Sequence, residues 1–335
     1  MTRVSPDRWP PEGTSDARAG GPVPGDLRRQ VRRLEWRVRH LVDSKVAGEY
    51  RSVFKGQGLE FAEVREYQLG DEVRAIDWNV SARMGRPYVR RYVEERELTV
   101  MLVVDRSGST AFGTRRCFKD ELALELASVL AFAAVRNNDR VGCVLFSEGV
   151  EHALPPRKGR RHVLRLLRDL LVTRPVRRET RFAPMGDRLE RVLPHRSVVF
   201  ILSDFVAPDV EATLARLSRR HEVVAIAIGD PLERQLPDLG LVRLQDAETG
   251  ALLEVDTGDP AVRRHYAQQR QVEADARHAM FARLGIEAMT VDTAEGYVGP
   301  LLAFFRRRLR TPKMRRTRSA RRSGSSPTSA EARST

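Results

Sequence analysis

Leu98-Thr-Val-Met-Leu-Val-Val-Asp105-Arg-Ser107-Gly-Ser109 decides the architecture of this chain. The run from Leu98 to Val104 is apolar except for Thr99 and does not alternate with polar residues. That pattern marks a strand covered on both faces, as in a parallel sheet, rather than one with a wet side. The strand ends in an acid, and two hydroxyl residues follow at alternate positions, where the chain leaves the sheet.

Toward the C-terminus, strand and helix patterns alternate. The spacing of Leu122, Leu126, Val129, Leu130 and Ala133 predicts a helix from Cys117 to Arg136, and a strand follows from Arg140 to Ser147. Helices from Arg161 to Leu171 and from Pro184 to Val192 lead to a second apolar run, Ser197 to Ser203, which stops at Asp204. A helix from Asp209, a strand from Glu222 and a hairpin around a Glu-Thr-Gly turn come next. A long helix opening at Pro260, a strand from Ile286 and a helix from Tyr297 complete the pattern. Alternation of this kind implies right-handed crossovers and an α/β fold, a doubly wound, mostly parallel sheet with helices on both faces. Ligands of such sheets bind outside the carboxyl ends of the strands, at the switch point. Asp105 and Asp204 both stand at strand ends of this kind.

Upstream, Leu27, Val31, Leu34, Val38, Leu41 and Val42 recur at helical spacing and predict one helix from Leu27 to Val46. Between residues 48 and 97, glycines and a proline punctuate short segments rich in Tyr and Trp, the pattern of a small β-rich unit. The expected organisation is a disordered leader (1–26), the helix with its β-rich unit (27–97), the α/β domain (98–310) and a basic disordered tail (311–335). The tail dominates the charge. Residues 306–335 hold 11 Lys and Arg against Glu331 alone, most of the net +14 of all 335 residues. The body is therefore not a basic nucleic-acid surface, and the tail lacks the aromatics that stack bases.

Cys117 and Cys143 have no CxxC or Cys/His ligand spacing, which disfavours zinc and fits reduced core cysteines. The seven histidines show no paired ligand spacing. Membrane spans need about 18 apolar residues or more, and none is present. With no hydrophobic signal segment at the N-terminus, a cytoplasmic protein is expected.

The chemistry sits in Asp105-Arg-Ser107-Gly-Ser109. One carboxylate and two hydroxyls on alternate positions of one turn converge above the sheet. A hard cation such as Mg²⁺ (or Mn²⁺) takes oxygen ligands at about 2.0–2.1 Å in octahedral geometry. This set gives part of that shell and adds one negative charge, so the ion keeps its pull on an outside carboxylate. Enzyme readings fit poorly. A haloacid-dehalogenase-type site needs Asp-x-Asp, and Ser107 stands at the second acid. No Gly-x-x-x-x-Gly-Lys loop is present, and no base is evident for a serine nucleophile.

Asp-x-Ser-x-Ser after a buried strand resembles the metal-ion-dependent adhesion site of von Willebrand factor A domains. That resemblance implies two further ligands, a loop threonine matched by Thr180 and an aspartate after a later strand matched by Asp204. Arg181 departs from the pattern, since related sites often carry Asp after the threonine, and it puts a cation beside the ligands that would attract an acidic partner. Gly58-Leu-Glu-Phe-Ala-Glu-Val-Arg-Glu-Tyr67, Gly70-Asp71 and Arg74-Ala-Ile-Asp77-Trp78-Asn resemble the bacterial family catalogued as domain of unknown function number 58. Its members are similar to von Willebrand factor A domains and typically accompany MoxR-type AAA+ ATPases. The resemblance covers roughly residues 27–310. It implies a non-enzymatic adaptor whose metal takes an Asp or Glu from a protein partner, with a MoxR-type ATPase nearby. The alternative is a binder of nucleic acid or anionic membrane surface through the tail. Asp71, Arg74, Asp77 and Trp78 admit two readings, a partner surface or a buried ion pair with an aromatic anchor, and the second is preferred.

Overall fold

The computed structural model describes residues 25–55, 63–68, 76, 78–91, 97–173 and 178–310. The leader as far as residue 24, the tail 311–335, and Asp71, Arg74 and Asp77 lie outside the described residues.

A six-stranded sheet forms the centre. Its strands are β3 (Thr99–Asp105), β4 (Arg140–Phe146), β5 (Val150–Arg157), β6 (Val198–Ser203), β7 (Glu222–Gly229) and β10 (Glu287–Asp292), in the order β10-β7-β6-β3-β4-β5. All neighbours are parallel except β5, which runs antiparallel to β4 at the edge. The chain enters at β3, moves outward through β4 and β5, then crosses back to β6 on the other side of β3. The switch point therefore lies between the carboxyl ends of β3 and β6, the strands that end at Asp105 and lead into Asp204. This is the doubly wound, mostly parallel α/β architecture expected from the sequence.

Both faces of the sheet are covered, and the strands show why their sequences carry no polar alternation. Val100, Leu102 and Val104 of β3 face one core cluster, and Met101 and Val103 face the other. The first cluster takes α4 (Lys119–Arg136), α5 (Arg160–Val172) and α10 (Val298–Arg310); the second takes α6 (Ala183–Val192), α7 (Val210–Arg220) and the end of α9 (Pro260–Arg283). α4 is buried nearly all round because a further helical layer covers its outer side.

That outer layer is the N-terminal segment. The expected helix is present as α1 (Gly25–Leu41), but it does not stop at Val46. A π-helical turn (Val42–Val46) leads into α2 (Ala47–Lys55), through Gly48. Val38, Val42, Val46 and Tyr50 are all buried at four-residue spacing. A straight α-helix of 3.6 residues per turn would rotate that stripe off the core; one wider turn brings it back into line. Phe54 then packs edge-on against Phe200 of the sheet, with ring centroids 5.8 Å apart. These helices share the core of the sheet.

The region after α2 is less purely β than expected. β1 (Glu63–Glu66) pairs antiparallel with β2 (Tyr88–Arg91), but α3 (Trp78–Met84) stands between them. Trp78 opens that helix and is 68% exposed, so the preferred reading of it as a buried anchor is corrected. Among the described residues here, Val89 and Ser81 are the buried side chains, and the Ser81 hydroxyl accepts the Tyr88 N–H at 2.8 Å.

Two further features bear on the site. β5 is a strand that the sequence reading did not place; it carries Pro155-Pro156, which are tolerated at a sheet edge. Beyond β7, α8 (Pro231–Arg234) leads to a separate antiparallel pair, β8 (Leu241–Gln245) and β9 (Leu252–Asp256), with every residue exposed or half-exposed. Among the described residues, no helix is long and apolar enough to cross a membrane.

Candidate metal centre

Strand alternation governs the first residues beyond β3. Asp105 and Ser107 are buried on the site side. Arg106 turns the other way: its N–H bonds the Phe146 carbonyl at 2.8 Å and its guanidinium bonds the Thr173 carbonyl at 3.2 Å. The chain then closes a 3-10 turn (Gly108–Ala111), in which Thr110 places its N–H and its hydroxyl on the Ser107 carbonyl.

Asp105 is wholly buried. Its Oδ1 accepts the Ser107 N–H at 2.9 Å and its Oδ2 accepts the Ser203 hydroxyl at 2.6 Å. Burial, with the Asp204 carboxylate second, raises the Asp105 carboxyl well above the usual carboxylate range, against the pull of those hydrogen bonds. The Ser107 and Ser109 hydroxyl oxygens lie 3.1 Å apart. An octahedral ion with ligands at about 2.0–2.1 Å keeps adjacent oxygens about 3 Å apart, so the two hydroxyls already have the spacing of neighbouring ligands.

Asp204 reaches the site through a strained turn. Phe205 has φ of 59°, the left-handed region that side chains other than glycine rarely adopt. The turn buries the Phe205 ring against Phe182 and Phe281, at 5.9 and 5.0 Å, while Asp204 joins Asp105, Ser203 and Lys119 around one small recess. Strain of this kind costs about 1–3 kcal/mol and persists where surrounding packing enforces it. The Asp204 carbonyl also accepts from Arg277 of α9 at 3.3 Å.

Lys119, at the start of α4, is 1% exposed, and its ammonium lies 3.1 Å from Asp204 and 2.6 Å from Glu233. Burial works against its charge, but the two carboxylates outweigh burial and hold it above its usual value. Behind it, Asp230 fastens the loop between β3 and α4. Its carboxylate accepts the Thr114 N–H at 2.9 Å and the Thr114 hydroxyl at 2.6 Å, and the Thr293 hydroxyl as well.

Thr180 is buried in the loop before α6, and its hydroxyl donates to Glu248 Oε1 at 2.6 Å. Glu248 belongs to the turn between β8 and β9. Burial raises its carboxyl against the Thr180 hydrogen bond, and the Asp204 charge adds to the rise. Arg181 next door is exposed, with its backbone N–H on the Ser147 carbonyl at 2.9 Å.

The donor set fits a hard divalent cation. Two hydroxyls, one buried and one half-buried, stand at ligand spacing, and the Asp204 charge disfavours ionisation of both Asp105 and Glu248, a repulsion that a cation would relieve. Among the described residues, no three His, Cys, Asp or Glu side chains could hold an ion by themselves; an ion here would need the hydroxyls in its shell. His152 and His162 are engaged elsewhere, on Asp169 and on the Val141 carbonyl. Both cysteines are free, and Cys143 is buried.

Of the residues read from the sequence, the structure brings Asp105, Ser107 and Ser109 together on one turn and places Asp204 with Asp105 on a small recess that the two serines do not line. Thr180 approaches from its own loop. Sequence reading missed Ser203, Lys119 and Glu248. Ser203 had a signal, a hydroxyl at the last position of an apolar strand. Lys119 looked like an ordinary first-turn residue and Glu248 like an ordinary turn residue.

Residues 63–276 match the family model described as "Protein of unknown function DUF58". An uncharacterized protein of Mycobacterium tuberculosis is 34% identical over 291 residues, covering 85% of this chain and 90% of its own length. Among solved structures, the conserved hypothetical protein BatB from Bacteroides thetaiotaomicron aligns over 64% of this chain and 100% of its own, with 14% identity and a TM-score of 0.41. The SpRpn10 VWA domain aligns over 62% and 94%, with 14% identity and a TM-score of 0.36. On the family match and the identity to its mycobacterial relative, this chain belongs to the DUF58 family.

Proposed function

We propose that this chain is a non-enzymatic adaptor that binds a protein partner through a divalent cation, Mg²⁺ or Mn²⁺. The observation that carries the reading is the Ser107–Ser109 hydroxyl pair, 3.1 Å apart at the switch point of the sheet, beside the buried Asp105. Ser107 and Ser109 hold the ion directly, joined by Thr180. Asp105 and Asp204 already spend oxygens on hydrogen bonds within the protein, which suits them to act through water. The bound cation supplies a Lewis-acidic position for an oxygen anion. An Asp or Glu of the partner takes it.

Two features support the absence of catalysis. The Ser107 hydroxyl meets the Ser109 hydroxyl and the Asp105 carboxylate, with no histidine base paired to either. The Asp105 carboxylate is committed to Ser203 and to the backbone. The family resemblance adds a MoxR-type AAA+ ATPase as the partner or motor, for assembly, chaperone-like or cofactor-insertion tasks in the cytoplasm.

Thermal unfolding in EDTA, Mg²⁺ and Mn²⁺ tests the metal. At about 100 times its dissociation constant, an ion that binds only the folded state adds about 2.7 kcal/mol. That moves the midpoint of a chain this size by several degrees. Asp105→Ala is expected to abolish the response. A wild-type midpoint that ignores both ions would overturn the reading, as would an Asp105→Ala protein that responds like wild type.

A further inference from the structure

The β8–β9 hairpin reaches the candidate metal centre with one side chain and one carbonyl. Glu248 Oε1 accepts from Thr180, 68 residues away in the chain, at 2.6 Å. The neighbouring Ala247 carbonyl lies over Gly108, so close that a Cβ at position 108 would stand 2.3 Å from its oxygen. The turn is shaped to do this. Asp246 Oδ1 accepts the N–H groups of Glu248 and Thr249 at 3.0 and 2.6 Å and the Thr249 hydroxyl at 2.8 Å, which fixes the backbone that presents Glu248.

As a purely structural contact this is a poor choice. A net hydrogen bond contributes about 0.5–1.5 kcal/mol, while Glu248 brings a carboxylate toward Asp204, a charge of the same sign. The arms of the hairpin bury almost nothing that would repay the approach. A cation among Ser107, Ser109 and Thr180 reverses the balance, because the carboxylate then meets opposite charge.

We propose that Glu248 is the chain's own ligand for the bound cation. It fills the position that a partner's Asp or Glu takes, so the hairpin tip is a latch that a partner carboxylate displaces. The inference rests on the metal reading above. It adds that the free protein is self-liganded and that binding is an exchange of one carboxylate for another. The exposed arms suit that exchange, since a segment with few buried apolar contacts opens at little cost.

The test titrates Mn²⁺ into wild type, Glu248→Gln, Glu248→Asp and Asp105→Ala. It follows the free Mn²⁺ signal by electron paramagnetic resonance and the hydration of the bound ion by water-proton relaxation. Unfolding midpoints in EDTA, expected to agree for wild type and the two Glu248 variants, check that the turn still folds. Glu248→Gln is expected to weaken Mn²⁺ binding on the order of tenfold or more, the range for losing even a supporting partner of a metal site. Its bound ion should gain about one exchangeable water, because small hard cations fill open positions with water. Added acetate should displace that water in Glu248→Gln at lower concentration than in wild type. Glu248→Asp, whose carboxylate is drawn back by one methylene, should fall between the two. Wild-type and Glu248→Gln curves that coincide in affinity and hydration, with Asp105→Ala inert, would overturn the latch and leave the metal centre standing. Wild type that fails to bind Mn²⁺ would overturn both.

Discussion

The carboxyl edge of the six-stranded sheet and the β8–β9 hairpin meet at Thr180 and Glu248, and they are built on opposite terms. β3 and β6 sit in the middle of the sheet with both faces buried, and their ends place Asp105 and Asp204. The hairpin is a two-stranded ribbon that leaves Leu241, Leu252 and Leu253 63–71% exposed. Ribbons of this kind are marginal by themselves. A close-packed platform can hold ligand oxygens at fixed spacing because its side chains have nowhere to move. A ribbon that touches the platform by its tip can leave without disturbing it. On the proposed metal reading, the difference separates what has to be exact, the hydroxyl spacing, from what has to be exchangeable, the outermost carboxylate.

Three substitutions probe that division, in falling order of effect. Phe200→Ala removes a wholly buried ring that joins the sheet to α2 and is expected to cost about 3–5 kcal/mol. Chemical denaturation should show one cooperative loss that includes the N-terminal helices. Separate transitions would break the claim that those helices share the core of the sheet. Gly108→Ala pushes a methyl group against the Ala247 carbonyl. Overpacking costs about 1–3 kcal/mol when it cannot be relieved, but here the tip can lift. Hydrogen exchange is therefore expected to lose protection in the 241–256 segment while β3 and β6 keep theirs; equal losses in both would show that hairpin and platform open together. Leu253→Ala, on the exposed arm, should change stability by about 0.5 kcal/mol or less. A loss several times larger would mean that the hairpin is packed against something in solution.

The fold was readable because its central strands are extreme. Leu98–Val104 and Ser197–Ser203 lack the alternation of a half-wet strand, and the structure buries Val100–Val104 and Ser197–Ser203 on both faces. Asp105, Ser107 and Ser109 were readable because their spacing is local. The rest of the site was harder for two reasons. Lys119 and Glu248 are ordinary residues for a first helical turn and a hairpin turn, and their meaning comes from contacts across 85 and 68 residues of chain. The helical run past Gly48 was missed because a glycine reads as punctuation, whereas Val46, Tyr50 and Phe54 supply enough buried surface to carry the helix through it. Trp78 shows the opposite error, since a large aromatic in a compact segment suggests burial and this one faces solvent.

β5 carries a consequence of a different kind. As the outermost strand on its side of the sheet, it could act as a template on which another extended chain adds itself, which is how many β proteins aggregate. Pro155 and Pro156 are adjacent, and since successive residues of a strand turn their N–H groups to opposite sides, one of the two takes a donor from that open rim. That end of the rim is therefore blunted against strand addition when copies are concentrated.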